Sequence, residues 1–236
     1  MEILNIKIDN SERCEILEKV KFFLNKDGFH QIATINPEFI LLSQKDNGFK
    51  EIINSCQLNI PDGFGITLAA LICGEKLKHR MAGVDLADQI LKMADEKRMR
   101  VYLACRNGGL TYYGEIKKAL EKIYPSIAFF GGDIDHLGKK DNITIDSSDI
   151  LLCNFGTPWQ EKFINRQKNG RIRLAMGVGG AFDFWCGKVR RAPIWMRKIG
   201  LEWVWRLIQQ PRRFSRIFRS VAVFPLKVIL SKLGIN

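Results

Sequence analysis

Residues 150–178 give the clearest indication of the fold class. Ile150–Asn154 reads ILLCN, Gly156–Glu161 reads GTPWQE, and Ile172–Val178 reads IRLAMGV. Two short apolar runs therefore flank a segment, Gln160–Lys168, that has a helical pattern. Short apolar strands are typical of a sheet covered on both faces, and a helix between two of them predicts a crossover connection. We interpret this stretch as one strand–helix–strand unit of a parallel sheet.

The same alternation extends through residues 1–186. Further strands are predicted at Ile3–Ile8, Gln31–Ile35, Gln57–Ile60, Arg100–Ala104 and Ile127–Phe130. Helices are predicted between them, from a cap at Ser11 to Leu24 and over Pro37–Gln44, Asp85–Lys97 and Gly109–Ile123. Strands and helices that alternate in this way predict the α/β class, with a largely parallel sheet and crossover helices.

Composition excludes several classes of protein. The chain has 236 residues, of which 46% are hydrophobic and 26% are charged, which is ordinary for a globular protein and unlike a disordered or collagen-like chain. Its six cysteines are scattered without a C-x-x-C pair, which argues against structural zinc and for a reducing compartment. The longest run without a charge, Gly63–Gly74, has 12 residues, whereas a membrane span needs about 20. The N-terminus also lacks the pattern of a signal peptide.

Positive charge is concentrated in the last fifth of the chain. Residues 187–236 hold twelve Lys or Arg and one acid, Glu202, and so carry +11 of the formal net charge of +12. A basic segment attached to a nearly neutral globular part favours an anionic partner, such as nucleic acid, lipid head groups or a diphosphate. A basic surface that only serves solubility is the alternative, and it does not require this concentration of charge.

The basic segment has helical patterns and no strand signal. Pro193 breaks the first helix, Gly200 precedes a second over Leu201–Gln209, and Pro211 starts a third. On the third helix one side carries Arg212, Arg213, Arg216 and Arg219, and the other carries Phe214, Ile217, Phe218 and Val221. This pattern is typical of a helix that lies in a membrane interface. A core-packed helix with a solvated basic face is the alternative.

Polar motifs follow four of the predicted strands, where an α/β sheet presents its ligands. In Thr34–Glu38, Thr34 and Asn36 share one direction if the strand continues. In Asn59–Gly65, Asp62 is a candidate general base, although Pro-Asp-Gly is also a turn signal. In Asn154–Glu161, Gln160 is a candidate to reach into a crevice.

The fourth motif, Met176–Phe184, is a Gly-rich turn that lets backbone N–H groups approach a phosphate. It lacks the G-x-G-x-x-G pattern and follows the last strand, which disfavours an NAD-dependent oxidoreductase. The three histidines are not spaced as a metal pair, and Asp133 and Asp135 are interpreted as part of a solvated loop. No metal site is therefore predicted.

Taken in order, these motifs resemble the WecG/TagA/CpsF family, glycosyltransferase family 26, over nearly the whole chain. The matching segments are Thr34–Glu38 (T-x-N-P-E), Pro61–Gly65 (P-D-G-x-G), Arg80–Leu86 (R-x-x-G-x-D-L), Gly156–Glu161 (G-x-P-x-Q-E), Gly177–Phe184 (G-V-G-G-x-F-D-F), Arg191–Trp195 (R-A-P-x-W) and Gly200–Trp203 (G-L-E-W). Each motif alone is weak, whereas the ordered set is specific.

The resemblance implies a Rossmann-like fold and an inverting, UDP-sugar-dependent hexosyltransferase that requires no metal. The implied acceptor is a sugar on undecaprenyl diphosphate, and the implied donor carries N-acetylmannosamine or a related hexose or uronic acid. The implied product belongs to wall teichoic acid, capsule or exopolysaccharide. By match, Asp62 is the catalytic base and Arg80 a partner of the donor diphosphate. The resemblance further implies that the donor site includes Thr34, Asn36, Gln160, Gly177, Gly179, Gly180 and Asp183.

We therefore expect two parts in the chain. Residues 1–190 are predicted to form the Rossmann-like catalytic domain, and residues 191–236 a basic amphipathic helical appendage that binds membranes. In the appendage, the residues expected to bind lipid head groups or the acceptor diphosphate are Arg212, Arg213, Arg216 and Arg219. The expected location is cytoplasmic, peripheral on the cytoplasmic face of the bacterial plasma membrane. No cofactor and no nucleic acid is expected, and a homo-oligomer is left open.

A nucleic-acid-binding protein is the alternative function, because Trp195, Trp203, Trp205 and Phe214 interleave with the basic residues of the appendage. The nearly neutral first 186 residues, with their strand-end motifs, disfavour it. A binding module would not need a ligand crevice of this kind.

Overall fold

The structure is a computed structural model, and it describes residues 1–135, 145, 147–168 and 170–235, with the backbone alone at Arg213. Its centre is a six-stranded sheet in which every strand pairs in parallel with its neighbours. The strands are β3 (His30–Ile35), β4 (Leu58–Pro61), β5 (Arg100–Arg106), β6 (Ala128–Ile134), β7 (Ile150–Cys153) and β8 (Leu174–Gly177). Their order across the sheet is β4-β3-β8-β7-β5-β6. The predicted α/β class and parallel sheet are confirmed.

One predicted strand is wrong. Instead of a sheet strand over Ile3–Ile8, the chain forms a small antiparallel hairpin from β1 (Glu2–Ile3) and β2 (Ile6–Lys7). Leu4 and Asn5 adopt left-handed backbone conformations, with φ of 49° and 62°, and so reverse the chain. This reversal buries both Ile3 and Ile6 in one apolar cluster, which a straight strand with alternating faces would not do.

Helices connect the strands and cover the sheet. They are α1 (Arg13–Asn25), α2 (Pro37–Ser43), α3 (Asn47–Asn54), α4 (Phe64–Ile72), α5 (Gly83–Glu96), α6 (Tyr113–Ile123), α7 (Trp159–Arg166) and α8 (Ala181–Trp185). The predicted cap of α1 is off by one residue. Glu12, not Ser11, is the N-cap, because the Glu15 carboxylate accepts the Glu12 N–H at 2.8 Å. Helices α3 and α4 have no counterpart in the sequence prediction.

The sheet is buried on both faces, and alternate residues of each strand point to opposite sides. Ile32 of β3 belongs to a cluster with residues of α1, α5 and α6, whereas the next residue, Ala33, belongs to a cluster with α2, α3 and α4. The strands therefore read as continuous apolar runs, as expected for a parallel sheet with helices on both sides.

The C-terminal part is helical, as predicted. It consists of α9 (Ile194–Lys198), α10 (Glu202–Gln209), a 3₁₀ turn (Pro211–Arg213) and a 19-residue helix. This last helix comprises α11 (Phe214–Phe218), a π-helical segment (Arg219–Val223) and α12 (Phe224–Lys232). No helix in the described part of the chain is long and apolar enough to span a membrane.

The last helix is attached to the α/β part by apolar packing. Phe224 and Val228 of α12 are buried in the same cluster as Ile66 and Ala69 of α4. The division of the chain at residues 190 and 191 stays a prediction, but the two parts share this core contact.

Candidate active site at the carboxyl edge of the sheet

Parallel strands end at one edge of the sheet, and this edge brings the four polar motifs together. Cys153 of β7 lies beside Gly177 of β8, and Ile35 of β3 lies beside Pro61 of β4. Because β3 and β8 are themselves neighbours, the loops after β4, β3, β8 and β7 form one continuous row. This is the position at which open α/β sheets bind ligands.

Asp62 stands at one end of this row, in the turn between β4, an edge strand of the sheet, and α4. Its backbone N–H donates to Ile35 O at 2.7 Å, and its Oδ2 accepts from the Gly83 N–H at 3.4 Å. Gly63 follows with φ of 85°, a conformation that lets the chain turn into α4 directly after the carboxylate. Asp62 is thus held in place by backbone contacts to two neighbouring elements.

The surroundings of Asp62 raise the pKa of its carboxyl group. Desolvation raises the pKa of Asp62 to about 6, and the carboxylate of Glu202 adds to the rise. The guanidinium groups of Arg206 and Arg80 and the Gly83 N–H act in the opposite direction. A carboxylate with a pKa of about 6 is largely ionised at pH 7 and is still basic enough to accept a proton.

Thr34, near the end of β3, and Asn36, directly after this strand, have different contacts. Thr34 is buried and packs against Gly83, since a Cβ built there would lie 3.1 Å from the Thr34 Oγ1. Asn36 is the N-cap of α2, and its Oδ1 accepts from the N–H groups of Glu38 and Phe39 at 3.0 and 3.3 Å. The structure therefore places Thr34 beside the Asp62 turn and uses the Asn36 oxygen as a helix cap.

Residues of the C-terminal helices α9 and α10 lie close to the Asp62 turn. The sequence does not predict this proximity. Arg80 donates from Nη2 to Arg197 O at 2.9 Å, so α9 contacts the residue predicted to bind a diphosphate. Glu202 and Arg206 lie on α10 with a closest N–O distance of 3.6 Å, and both act on the pKa of Asp62. The Asp62 carboxylate therefore experiences charges of both signs, from Arg80 and from Glu202 and Arg206 of α10.

A second ion pair attaches the segment before α9 to the site. Arg191 pairs with both carboxylate oxygens of Asp85 in the first turn of α5, at 2.5 and 3.1 Å. Both residues belong to motifs quoted above, R-A-P-x-W and R-x-x-G-x-D-L. These motifs were the available signal, but nothing in a linear sequence relates positions 85 and 191.

Gln160 and the Gly-rich turn lie on the other side of the row. Gln160 is buried, and its Oε1 accepts from the N–H groups of Gly156 and Gly179 at 3.1 and 3.3 Å. The structure thus places Gln160 between two loops rather than in an open crevice. Gly177 ends β8 directly beneath it, and Gly179, with φ of 50°, forms the turn.

Gly180 and Asp183 line a shallow cleft next to the turn, together with Arg206 and Gln209 of α10. Asp183 Oδ1 accepts from the Thr111 Oγ1 at 2.7 Å. The cleft is therefore formed partly by the Gly-rich turn and partly by the C-terminal helices.

The arginines predicted to contact a membrane lie in the last helix and in the 3₁₀ turn before it. Arg216 forms an ion pair with Glu38, Arg219 Nε donates to Ser215 O at 3.3 Å, and Arg212 is exposed. The side chain of Arg213 lies outside the described residues. Phe214, Phe218 and Val221, on the opposite face, are 62%, 54% and 43% exposed, so this face of the helix is not packed into the core.

The interpretation of Asp133 and Asp135 as part of a solvated loop is wrong for Asp133, which lies within β6, and Asp135 follows that strand directly. Asp133 Oδ1 accepts from the Tyr113 N–H at 2.9 Å. Among the described residues, no three His, Cys, Asp or Glu side chains come close enough to form a metal site. His136, interpreted as a surface or loop residue, lies outside the described residues.

Comparison with known proteins gives a match over the whole chain. The model of the glycosyl transferase WecG/TagA/CpsF family matches residues 1–236. Two relatives are named N-acetylglucosaminyldiphosphoundecaprenol N-acetyl-beta-D-mannosaminyltransferase. The Staphylococcus aureus (strain MRSA252) protein is 29% identical, covering 98% of this chain and 93% of its own length. The Bacillus subtilis (strain 168) protein is 28% identical, covering 96% and 90%.

Proposed function

The chain belongs to the WecG/TagA/CpsF family of glycosyltransferases, and from this premise we propose that it transfers a sugar from a UDP-sugar to a sugar on a polyprenyl diphosphate. The proposed donor sugar is N-acetylmannosamine or a related hexose or uronic acid, and the proposed acceptor carrier is undecaprenyl diphosphate. The names of the two relatives support this choice of donor and acceptor. The proposed pathway is the synthesis of teichoic acid, capsule or exopolysaccharide.

The observation that carries the proposal is the setting of Asp62. Its pKa of about 6 suits a base that takes the proton of the acceptor hydroxyl while the hydroxyl oxygen attacks the anomeric carbon. The new C–O bond forms as the bond from the anomeric carbon to the diphosphate oxygen breaks, with inversion. UDP leaves with the bonding electron pair, and the proton stays on Asp62 until solvent removes it.

The leaving diphosphate gains negative charge, and positively charged groups stand close to Asp62. Arg80 and Arg206 are near enough to lower the pKa of Asp62, and the Gly-rich turn adds backbone N–H groups after β8, which is separated from β4 by β3. In the proposal, Arg80 binds the donor diphosphate and Gly177, Gly179, Gly180 and Asp183 adjoin the nucleotide. Thr34 and Asn36 complete the wall of the site. No metal takes part, so EDTA is expected to leave turnover unchanged, and loss of activity that Mn²⁺ restores would contradict this part.

The C-terminal segment is proposed to bring the site to an anionic membrane, where a lipid-linked acceptor resides. Exposed apolar side chains occur on neighbouring helices: Phe64, Leu68 and Leu71 on α4, Trp195 on α9, and Phe214 and Phe218 on α11. Gly200 packs against Phe64, and α4 packs against α12, so these helices form one surface. Basic side chains beside an exposed apolar face favour an anionic lipid interface over nucleic acid.

The decisive experiment is a transfer assay with a panel of UDP-sugars and a short-chain lipid-diphosphate-GlcNAc acceptor. One donor is expected to give a disaccharide on the lipid and free UDP in equal amounts. The Asp62→Asn variant, assayed in parallel, identifies product that depends on the site. Hydrolysis of donor without a lipid-linked product, or no turnover with any donor, would refute the proposal.

A further inference from the structure

Glu161 is a buried acid for which the proposed reaction has no role. It stands in the first turn of α7 and is 2% exposed. Desolvation raises the pKa of Glu161 to about 7, so its burial opposes ionisation. Burying an ionised carboxylate is costly unless it is paired or hydrogen-bonded. The contacts of Glu161 show what it holds.

Glu161 is bonded to the neighbouring Gln160 and to the centre of the sheet. Its Oε1 accepts from Gln160 Nε2 at 2.6 Å, and its backbone oxygen accepts from the Nε2 of Gln31, on β3, at 3.4 Å. Its Oε2 is buried and has no partner among the residues that the structure describes. The shortest hydrogen bond of the carboxylate, at 2.6 Å, is therefore the one from the Gln160 amide, and the Thr157 side chain also lies close enough to lower the pKa of Glu161.

That contact determines which way the Gln160 amide faces. An amide has a donor end and an acceptor end, so fixing Nε2 on Glu161 directs Oε1 to the opposite side. There Oε1 accepts from two N–H groups, those of Gly156 in the loop after β7 and Gly179 in the turn after β8. A reversed amide would place a donor against two donors. Glu161 therefore selects the orientation in which Gln160 joins the two loops.

Gly177 shows how closely this pair is fitted. A Cβ at position 177 would overlap the Gln160 amide and lie 2.8 Å from Glu161 Oε1. The backbone of Gly177 is outside the left-handed region that favours glycine, so the small residue is needed here for space. The Gln160–Glu161 pair thus fills the position that a side chain at the end of β8 would take.

We propose that Glu161 is a positioning residue, which acts through Gln160 to lock the Gly156 loop and the Gly179 turn in the arrangement that binds the donor nucleotide. The inference rests on the proposed function, because that function assigns the Gly-rich turn to the nucleotide. It adds a residue that touches no substrate and controls donor affinity from beneath the site. The expected signature is a change in donor affinity and little change in the chemical step.

The test compares Glu161→Leu, which removes the acceptor, with Glu161→Gln, whose amide oxygen can still accept from Gln160. Glu161→Leu is expected to raise the donor KM and the UDP Kd about tenfold or more, with kcat within about threefold of wild type, because the released loops must be ordered again when UDP binds. Glu161→Gln is expected to restore both constants to within about threefold of wild type. Circular dichroism and thermal melting show whether each variant is folded.

Gly177→Ala is the second variant, for the case that Glu161→Leu does not fold. The added methyl group is expected to displace the Gln160 amide and to raise the UDP Kd in the same way. Unchanged UDP affinity in either folded variant would overturn the inference, and so would equal losses in Glu161→Leu and Glu161→Gln. A wild-type protein that binds UDP but transfers no sugar would instead refute the proposed reaction alone, because the comparison of UDP affinities does not depend on turnover.

Discussion

Asp62 shows how a residue in an ordinary turn sequence acquires a distinct chemical setting. Its turn depends on neighbouring residues, since Gly63, with φ of 85°, directly follows Asp62 and is the N-cap of α4. Its pKa is not set by neighbouring residues in the sequence. Desolvation raises it, and so does Glu202, which lies 140 positions further along the chain. At the residue scale, the proposed base is therefore a product of the fold.

Replacement of Asp62 tests the base directly. Asp62→Asn keeps the shape of the side chain but cannot take a proton, so kcat is expected to fall about 10²-fold or more while the Kd of UDP changes little. The measurements are steady-state kinetics and UDP titration on the same preparation. Near-normal turnover in this variant would remove Asp62 from the mechanism.

The pH dependence gives a second check on Asp62. A base must be ionised, and desolvation raises its pKa from 3.8 to about 6. The value of kcat/KM is therefore expected to be constant near pH 7 and to fall about tenfold per pH unit well below pH 6. Residual activity of Asp62→Asn should lack this acidic limb. A wild-type profile that stays flat down to pH 5 would contradict the assignment.

At the scale of elements, the cover over the site depends on the contact between α4 and the turn after α9. Gly200 has φ of 81°, and its Cα faces the ring of Phe64, which leaves no room for a methyl group. Phe64 is itself the first residue of α4, two positions after Asp62. The contact thus joins the turn that carries the proposed base to the helices that lie over it.

Gly200→Ala is expected to lower the free energy of unfolding by about 1–3 kcal/mol, because it adds backbone strain and displaces Phe64. Gly74→Ala is the matched control, since Gly74 has φ of 85° but no atom within 4 Å of the added methyl group. Urea denaturation of both variants measures the difference. Equal destabilisation of the two would show that the Phe64 contact contributes nothing beyond backbone strain.

The basic residues of α11 and of the 3₁₀ turn before it are predicted to bind anionic membranes. Arg212→Glu combined with Arg216→Glu is expected to weaken binding to anionic vesicles, by up to about 1 kcal/mol for each arginine that is removed from the surface. The loss should shrink as salt is added, because salt screens the attraction. Co-sedimentation with vesicles at several salt concentrations measures both effects.

A control with the same change of net charge is available on α6, where Lys118 and Lys122 are exposed. Lys118→Glu with Lys122→Glu is expected to bind vesicles nearly as wild type does. If the two double variants lost the same affinity, net charge alone would explain the binding, and the proposed role of α11 would be refuted.

At the scale of the whole molecule, the last helix belongs partly to the surface and partly to the core. Phe214 and Phe218 in its first half are exposed, whereas Phe224 and Val228 in its second half are buried against α4. Truncation of the chain before α9 would therefore expose part of the core as well as remove positive charge. Point substitutions separate these two roles better than truncation does.

Phe224→Ala is expected to cost about 3–5 kcal/mol in the free energy of unfolding, because it leaves a cavity in the cluster beneath α4. Leu226→Ala, two residues away and 55% exposed, is expected to cost less than about 1 kcal/mol. Thermal or urea denaturation distinguishes the two. A Phe224→Ala variant as stable as wild type would mean that α12 does not pack on the α/β part in solution.

Several features of the fold can be predicted from the amino-acid sequence: the six strands of the sheet, most of their helices, the helical C-terminal segment, and the strand-end motifs that carry the family resemblance. These features are readable because they depend on local patterns of apolar, capping and turn residues. The Ile3–Ile8 run was misread for the same reason, since its apolar residues fit a strand and the left-handed turn at Leu4 and Asn5 has no distinctive signal.

Three features became visible only in the folded chain: the strand order, the position of α9 and α10 near the Asp62 turn, and the link that the Gln160 amide makes between two loops. Each depends on groups that are distant in the chain, such as Asp85 with Arg191 or Asp62 with Glu202. The order of apolar and polar residues in the sequence predicts which face of a single helix or strand is buried. Contacts between elements, and the desolvation of groups such as Asp62, arise only when those faces pack together.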